Sequence, residues 1–482
     1  MSIILSRAGL GAGRAPGVAS RPAAPIPTPL QNAIRKARVR LVPFLILMYM
    51  LAFLDRANVG MAKQALAGAI GLSPAAFALG AGIFFIGYAL CEVPSNLILH
   101  RVGARRWMAR IMVTWGLVAA CTMFVQGGTS FVALRFVLGI AEAGFFPGVI
   151  LYLTYWFPPE ERGRVIGRFY FGYALALVLG TPLSGLLLGM DRIGGLAGWQ
   201  WMFLIEGLMA SVVGIVTLFV LPDRPADVTW LNDEEKLALS TVLARETRQK
   251  EAEGASSFLH ALRDPWLLLF TTIYFLMQIG SYGVAFYLPD QVSQLLGVAI
   301  GLKVSLVSAL PWLCAVFFTA FWPPLASRVN RPRAFFIVTL LCIAGGILVS
   351  AHAPPQVAII MLCLAAAGII SAQAIFWTFP TDRFGGTAAA GSIAVINSLG
   401  NLGGFVAPNL RAAADRIFLS PTAGLHALSI AALLGIGLAM LLPARGRRVI
   451  AATDLPPADS IPAAGPPDGT RSVPLGARAS VP

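Results

Sequence analysis

The sequence predicts an all-α membrane protein with twelve transmembrane helices in two pseudo-symmetric six-helix halves. Three observations predict it: an excess of apolar residues, apolar runs of bilayer length, and a motif that recurs once. Hydrophobic residues make up 57% of the 482 positions and charged residues 12%, with a mean hydropathy of +0.76. A water-soluble chain of this length cannot bury so much apolar surface. A helix needs about 20 mostly apolar residues to cross roughly 30 Å of hydrocarbon. Such runs fall at 41–63, 74–99, 105–125, 129–156, 165–189 and 200–221, then at 265–289, 302–325, 333–351, 355–378, 386–410 and 422–443. The turn HRVGARR (100–106) after the second run has a counterpart, SRVNRPR (327–333), after the eighth, an offset of about 227 residues that also lays the first run on the seventh. Parallel repeats of this kind build transporters that rock around a site near the bilayer midplane.

Domain boundaries follow. Residues 38–221 form the first half and 265–443 the second, joined by a polar cytoplasmic linker at 222–264. Within the linker, LNDEEKLALSTVLARETRQK has its acids early and its bases late, as a surface helix opened at Asn232 requires. Residues 1–37 read as a disordered cytoplasmic arm, since the first 34 are rich in Ala, Pro, Gly and Arg and contain no acid. A transit peptide has a similar composition. Residues 444–482 read as a disordered cytoplasmic tail.

Orientation comes from the basic residues, because short cytoplasmic loops retain Lys and Arg. With the N-terminus inside, the inner segments hold Arg35, Lys36, Arg38 and Arg40, then Arg101, Arg105, Arg106 and Arg110, then Arg162, Arg164 and Arg168, then Arg328, Arg331 and Arg333, and finally Arg445, Arg447 and Arg448. The outer loops carry only Lys63, Arg192, Lys303, Arg411 and Arg416. Both termini are therefore expected in the cytoplasm. The net charge of +14 expresses this bias and gives no reason to expect a nucleic-acid partner. The five cysteines fall inside apolar runs and the four histidines near run ends, with no disulfide framework, zinc spacing or cofactor motif, so no metal, cofactor or enzymatic activity is expected.

The residues that carry chemistry are ionisable groups placed deep in apolar runs. YMLAFLDRANVG (49–60) sets Asp55 and Arg56 about 21 Å along the first helix by helical rise, too deep to reach water by snorkelling. Such groups mark a pathway unless they neutralise one another, and adjacent residues point about 100° apart, which suits mutual neutralisation poorly. In the fourth run Arg135 and Glu142 are two turns apart on one face. Arg135 could snorkel to the nearby outer end, whereas Glu142 has no such escape. The second half offers Gln278 and Tyr282 in the seventh run, Gln373 and Trp377 in the tenth, and Asn397 and Asn401, one turn apart, in the eleventh. These can hydrogen-bond hydroxyl and carboxyl groups or stack on a ring, and each could equally serve as glue between helices. Glu92 and Glu206 lie nearer the membrane faces and read as interhelical or gate contacts.

Several strings resemble a known family. HRVGARR is a degenerate form of the loop signature of the major facilitator superfamily, with His100 where that signature usually has Asp; Ser327 departs likewise in the second copy. LRFVLGIAEAGFFPGVILYLTYWFPPEERGR (134–164) resembles the anion:cation symporter family within it. So do LAFLDRANVG (51–60), GGLAGWQWMFLIEG (194–207), YGVAFYLP (282–289) and GSIAVINSLGNLGGFVAP (391–408). The resemblance spans about residues 38–443 and implies a permease for phthalate, tartrate, hydroxyphenylacetate, sugar acids or similar organic anions, coupled to protons. It assigns Asp55 and Glu142 to proton coupling. Arg56 and Arg135 would bind the anion, with Tyr282, Gln278, Gln373, Trp377, Asn397 and Asn401 meeting the rest of it. On the inner side Arg101, Arg105 and Arg106 are expected to form a cytoplasmic gate with Glu160, Glu161 and Arg162. The expected partners are a small organic anion, protons and the bilayer of the inner (plasma) membrane, the protein acting as a monomer. An exchanger or exporter using the same arginines is the alternative, and a non-transporting nutrient sensor a more distant one.

Overall fold

The computed structural model describes residues 28–253, 263–384 and 386–444. Among these, every regular element is a helix. Ten helices are long and apolar enough to cross a bilayer, and they fall on the first ten predicted runs. In the first half they comprise α1 (Pro29–Ile70), α2 (Pro74–Val102), α3 (Ala104–Ala120), the pair α4 (Gly128–Glu142) and α5 (Phe145–Thr154), the series α6 (Pro159–Phe169), α7 (Phe171–Leu175) and α8 (Thr181–Leu188), and α9 (Gly198–Val220). After the linker helix α10 (Asp233–Glu253) come α11 (Pro265–Leu296), α12 (Leu302–Val329), α13 (Pro332–Ser350) and the pair α14 (Pro355–Phe376) and α15 (Thr378–Arg383). The runs at 386–410 and 422–443 hold shorter helices: α16 (Gly386–Asn401) meets α17 (Gly403–Ile417) at a break, and α18 (Ala423–Ala439) follows.

The helix ends follow local rules. Thr28 accepts a hydrogen bond from the amide of Gln31, whose side chain accepts one from the amide of Thr28, with Pro29 opening the helix. The arm expected through residue 37 therefore ends earlier, because this capping box starts α1 at Pro29; its remainder, 1–27, and the tail from 445 lie outside the described residues. Asn232 opens α10 as expected, its side chain accepting from the Glu235 amide at 2.8 Å. Lys36 holds Glu235 at 2.8 Å, and Arg162 holds Glu246 at 2.9 Å, so α10 caps one end of the bundle, the linker face.

Within each half, small residues let helices touch. A Cβ on Gly139 of α4 would stand 2.0 Å from the carbonyl oxygen of Phe84 on α2, so these backbones meet directly. Between the halves, α1 and α11 cross so closely that a Cβ on Gly60 would lie 2.5 Å from the Phe286 carbonyl. Just beyond, Lys63 pairs with Asp290 at 2.6 Å, Gln64 donates to Asp290 and Ser293, and the Ile300 amide donates to Gln64. Lys63 and Asp290 are 227 residues apart, so counterparts in the sequence repeat face each other across the axis that relates the halves.

This latch lies at the end opposite the linker, the far face. Other hydrogen bonds between the halves lie deeper, from Arg56 to Tyr282 and between Tyr173 and Ser281, and then at Glu92, which accepts from Asn397 and Ser398. Removing the latch is expected to loosen the far face. Lys63→Ala leaves Asp290 without its ammonium partner, and about 1.4 kcal/mol corresponds to a tenfold shift in the open population. Amide hydrogen exchange at the far ends of α1 and α11 should speed up to that degree. Exchange at the wild-type rate would show that the latch does not hold this face.

Candidate functional site

The helices break where they border the space between the halves. α4 stops at Glu142 because Gly144, at φ 87°, turns the chain before α5 begins; a Cβ there would stand 2.3 Å from the Ser95 hydroxyl. α14 gives way to α15 at Trp377, and α16 to α17 at Leu402, directly after Asn401. A π-helical stretch, Ala176–Gly180, lies between α7 and α8. Broken backbone at membrane depth is tolerated where it lines a cavity or is buried in protein. Here it surrounds a chamber.

Arg56, Gln278, Tyr282, Gln373, Asn397 and Asn401 line the chamber, together with tyrosine rings from both halves and phenylalanine rings from the first. Arg56 is its cation. Its Nε and Nη2 donate to Glu142 Oε1 at 3.1 and 2.5 Å, and its Nη1 donates to the Tyr282 hydroxyl at 3.1 Å. The guanidinium also lies over the rings of Phe53, Phe84 and Tyr88 at 5.0 to 5.3 Å. One arginine thus links the first half, through an acid, to the second half, through a phenol.

Another part of the lining is a chain of amides. Gln373 donates to Gln278 at 3.2 Å, Gln278 to Asn401 at 2.7 Å, Asn401 to Asn397 at 3.1 Å, and Asn397 to Glu92 at 3.3 Å. All four amides singled out in the sequence are therefore brought together. Glu92, read in the sequence only as a gate or interhelical contact, is the end of their chain.

Asp55 points elsewhere. It is buried beside Asn58, which donates to Glu206 at 2.8 Å, while Ser184 donates to the other oxygen of Glu206 at 2.7 Å. Separate faces for Asp55 and Arg56 are what adjacent helical positions give. Two expected chamber residues stand differently in this state. Arg135 is only 1% exposed and does not line the chamber; it lies over the ring of Phe84 at 5.0 Å and acts electrostatically on Asp55 and Glu142. The glycine contacts that bring α2 against α4 put Phe84 in front of it. Trp377 lines a second, apolar cavity on the linker side of the chamber, which shares Phe146, Tyr170, Tyr173 and Gln373 with it.

The expected cytoplasmic gate is not the arrangement found. Arg105 pairs with Asp223 at 3.5 Å, Arg162 with Glu246, and Glu161 with Arg164 at 2.8 Å and Arg38 at 3.9 Å. The Glu160 side chain lies outside the described residues. Residues 101–106 and 160–162 all belong to the first half, and the partners of Arg105, Glu161 and Arg162 lie in the linker, in α6 itself and at the start of α1, so these contacts brace one half and its linker rather than closing one half on the other.

Residues 45–408 match the sequence profile of the Major Facilitator Superfamily. The chain belongs to this superfamily. It is accordingly a multi-pass membrane transporter and not an enzyme. The "Inner membrane transport protein RhmT" of Escherichia coli K12 is 43% identical over 426 residues, covering 88% of this chain and 98% of that one. A "Putative tartrate transporter" of Agrobacterium vitis is 42% identical over 79% of this chain and 84% of its own. A "Quinolone resistance transporter" of Acinetobacter baumannii is 37% identical over 87% and 96%. Among solved structures, a bacterial homologue of the human lysosomal transporter Spinster, in an inward-facing occupied conformation, superposes with a TM-score of 0.68 at 16% identity, covering 84% of this chain and 96% of that one. At that identity the likeness speaks for the fold alone.

Proposed function

We propose that this transporter imports a small hydroxylated carboxylate together with protons across a bacterial-type inner membrane by alternating access, with twelve spans and both termini and the linker face in the cytoplasm. The observation that carries the reading is Arg56, held on the chamber wall between Glu142 and Tyr282 and sharing the chamber with four amides. A guanidinium forks onto a carboxylate through two charge-assisted bonds. Amides offer both donors and acceptors, which suits hydroxyl groups. The relatives named for inner-membrane and tartrate transport support both the location and the substrate class.

Proton coupling follows from the same pair. While Glu142 is charged it occupies two of the guanidinium's donors, so an incoming anion competes with it. A proton on Glu142 releases Arg56 to the substrate, and substrate on Arg56 removes the partner that favours the charged form of Glu142. Each then helps the other bind, as linkage demands of symport. Net uptake of tartrate or gluconate into proteoliposomes, accompanied by alkalinisation of the outer medium, tests the reading. Uptake without proton movement would overturn the coupling. An outward, proton-exchanging carrier is favoured by the relative named for quinolone resistance and by the apolar cavity around Trp377; it would move protons against the substrate's direction. A sensor would bind without flux.

The amide wall should choose among substrates. Asn401→Ala removes a chamber-facing amide and interrupts the chain, so hydroxylated acids should lose about tenfold in affinity while unhydroxylated acids of equal length change little. Equal loss for both, in a titration of intrinsic fluorescence, would assign Asn401 to packing.

A further inference from the structure

We propose that Glu92 is a positioning residue that sets the direction of the amide chain and, through it, the chamber's preference for hydroxylated substrates. The proposal rests on the carboxylate reading of the chamber. Glu92 is 3% exposed and does not line the chamber; it stands on α2 one turn beyond Tyr88, which does. Its two oxygens receive the Asn397 amino group at 3.3 Å and the Ser398 hydroxyl. An ionised carboxyl has only acceptors, and in a neutral one whose proton lies on the oxygen facing Ser398 the oxygen facing Asn397 is still a carbonyl acceptor. Asn397 must therefore turn its amino group toward Glu92 and its carbonyl toward Asn401. Asn401 then gives its amino group to Asn397 and its carbonyl to Gln278, and Gln278 gives its carbonyl to Gln373, in the order observed. The reverse direction would set the Asn397 carbonyl against a buried carboxylate, two acceptors without a proton between them.

Each amide has donors and acceptors at opposite ends of nearly the same shape. A flip therefore exchanges what the wall offers a substrate without moving the wall. With Glu92 as the fixed end, every hydroxyl of the substrate meets a defined donor or acceptor. Without it, the binding-competent arrangement is a fraction of those available, and affinity falls by that fraction. The loss is about twofold if the four amides flip together and about sixteenfold if they flip independently.

Glu92→Gln is the decisive variant because it preserves volume yet presents either a donor or an acceptor to Asn397. In full-length protein, affinities for gluconate and hexanoate are compared by intrinsic fluorescence. The gluconate-to-hexanoate affinity ratio should fall about twofold to sixteenfold in Glu92→Gln, with the hexanoate affinity unchanged. Ser398→Ala, which spares the fixed end, should keep the wild-type ratio. A wild-type ratio in Glu92→Gln, or equal losses for both acids, would overturn the proposal and leave Glu92 a packing contact. A second measurement needs no substrate: the side-chain amide NMR signals of Asn397 and Asn401 should be single in wild type and doubled or exchange-broadened in Glu92→Gln, and single signals in the variant would likewise overturn it. If wild type binds neither acid, the carboxylate reading falls, while the NMR signals still decide the role of Glu92.

Discussion

Arg56→Ala is expected to abolish saturable uptake. Arg56 is the chamber's cation and its link to both halves, through Glu142 and Tyr282. A charge-assisted hydrogen bond contributes about 1.5 to 3 kcal/mol, so losing a forked pair to the substrate should weaken binding at least about a hundredfold. Arg56→Lys should recover little of this, because an ammonium cannot reproduce the fork that reaches Glu142 and Tyr282 together. Stability is a separate matter. Removing Arg56 leaves the Glu142 carboxylate buried without its partner, and breaking a buried pair from one side costs about 3 to 5 kcal/mol. The double variant Arg56→Ala with Glu142→Gln removes that burden, so it should regain thermal stability without regaining binding. Normal substrate affinity in a folded Arg56→Ala protein would remove Arg56 from the site.

Much of this was legible in the sequence because lipid imposes simple rules. An apolar run of bilayer length must be a helix, so the first ten runs appear where composition places them. Asp55, Arg56 and Glu142 stood out for the same reason, as charges in segments where charge is costly. Their pairing did not, since Arg56 and Glu142 are 86 residues apart and meet only through the packing of different spans. Depth along a helix also says nothing about which neighbour covers a side chain. Arg135 lies near enough to the end of its span to snorkel outward, yet it is buried, because the Gly139 contact brings α2 and its Phe84 against it. The linker-face arginines were misplaced because proximity in loops was read as pairing, whereas α10 and Asp223 supply the carboxylates. The four amides were legible one by one. Their union into a single chain depends on the packing of α11, α14 and α16 against one another, and its end on Glu92 from the other half, which no periodicity in any one segment reveals.

Glu142→Gln is expected to separate coupling from transport. The carboxyl of Glu142 is fully buried, with Oε1 bound to Arg56 and Oε2 without a hydrogen-bond partner among the described residues. Glutamine fixes the neutral state in nearly the same shape, and its carbonyl can still accept from Arg56. Arg56 is then permanently free of a competing charge, so substrate should bind at least as well as to wild type, and without dependence on the proton. The loaded carrier can rock between its two faces. No proton can leave, however, so a proton gradient no longer biases the direction of net movement. Accumulation driven by an inward proton gradient should disappear, while exchange of labelled for unlabelled substrate across proteoliposomes continues. Asp55→Asn tests the second acid. Asp55 faces Arg135 and the cluster of Asn58, Ser184 and Glu206 rather than the chamber, so the same phenotype would mean that it shares the proton, and loss of all transport that it holds the first half in shape. Accumulation at the wild-type level by Glu142→Gln would take the coupling proton away from Glu142. Loss of exchange along with accumulation would instead make the Arg56 to Glu142 pair a structural requirement for rocking, with the proton carried by another acid.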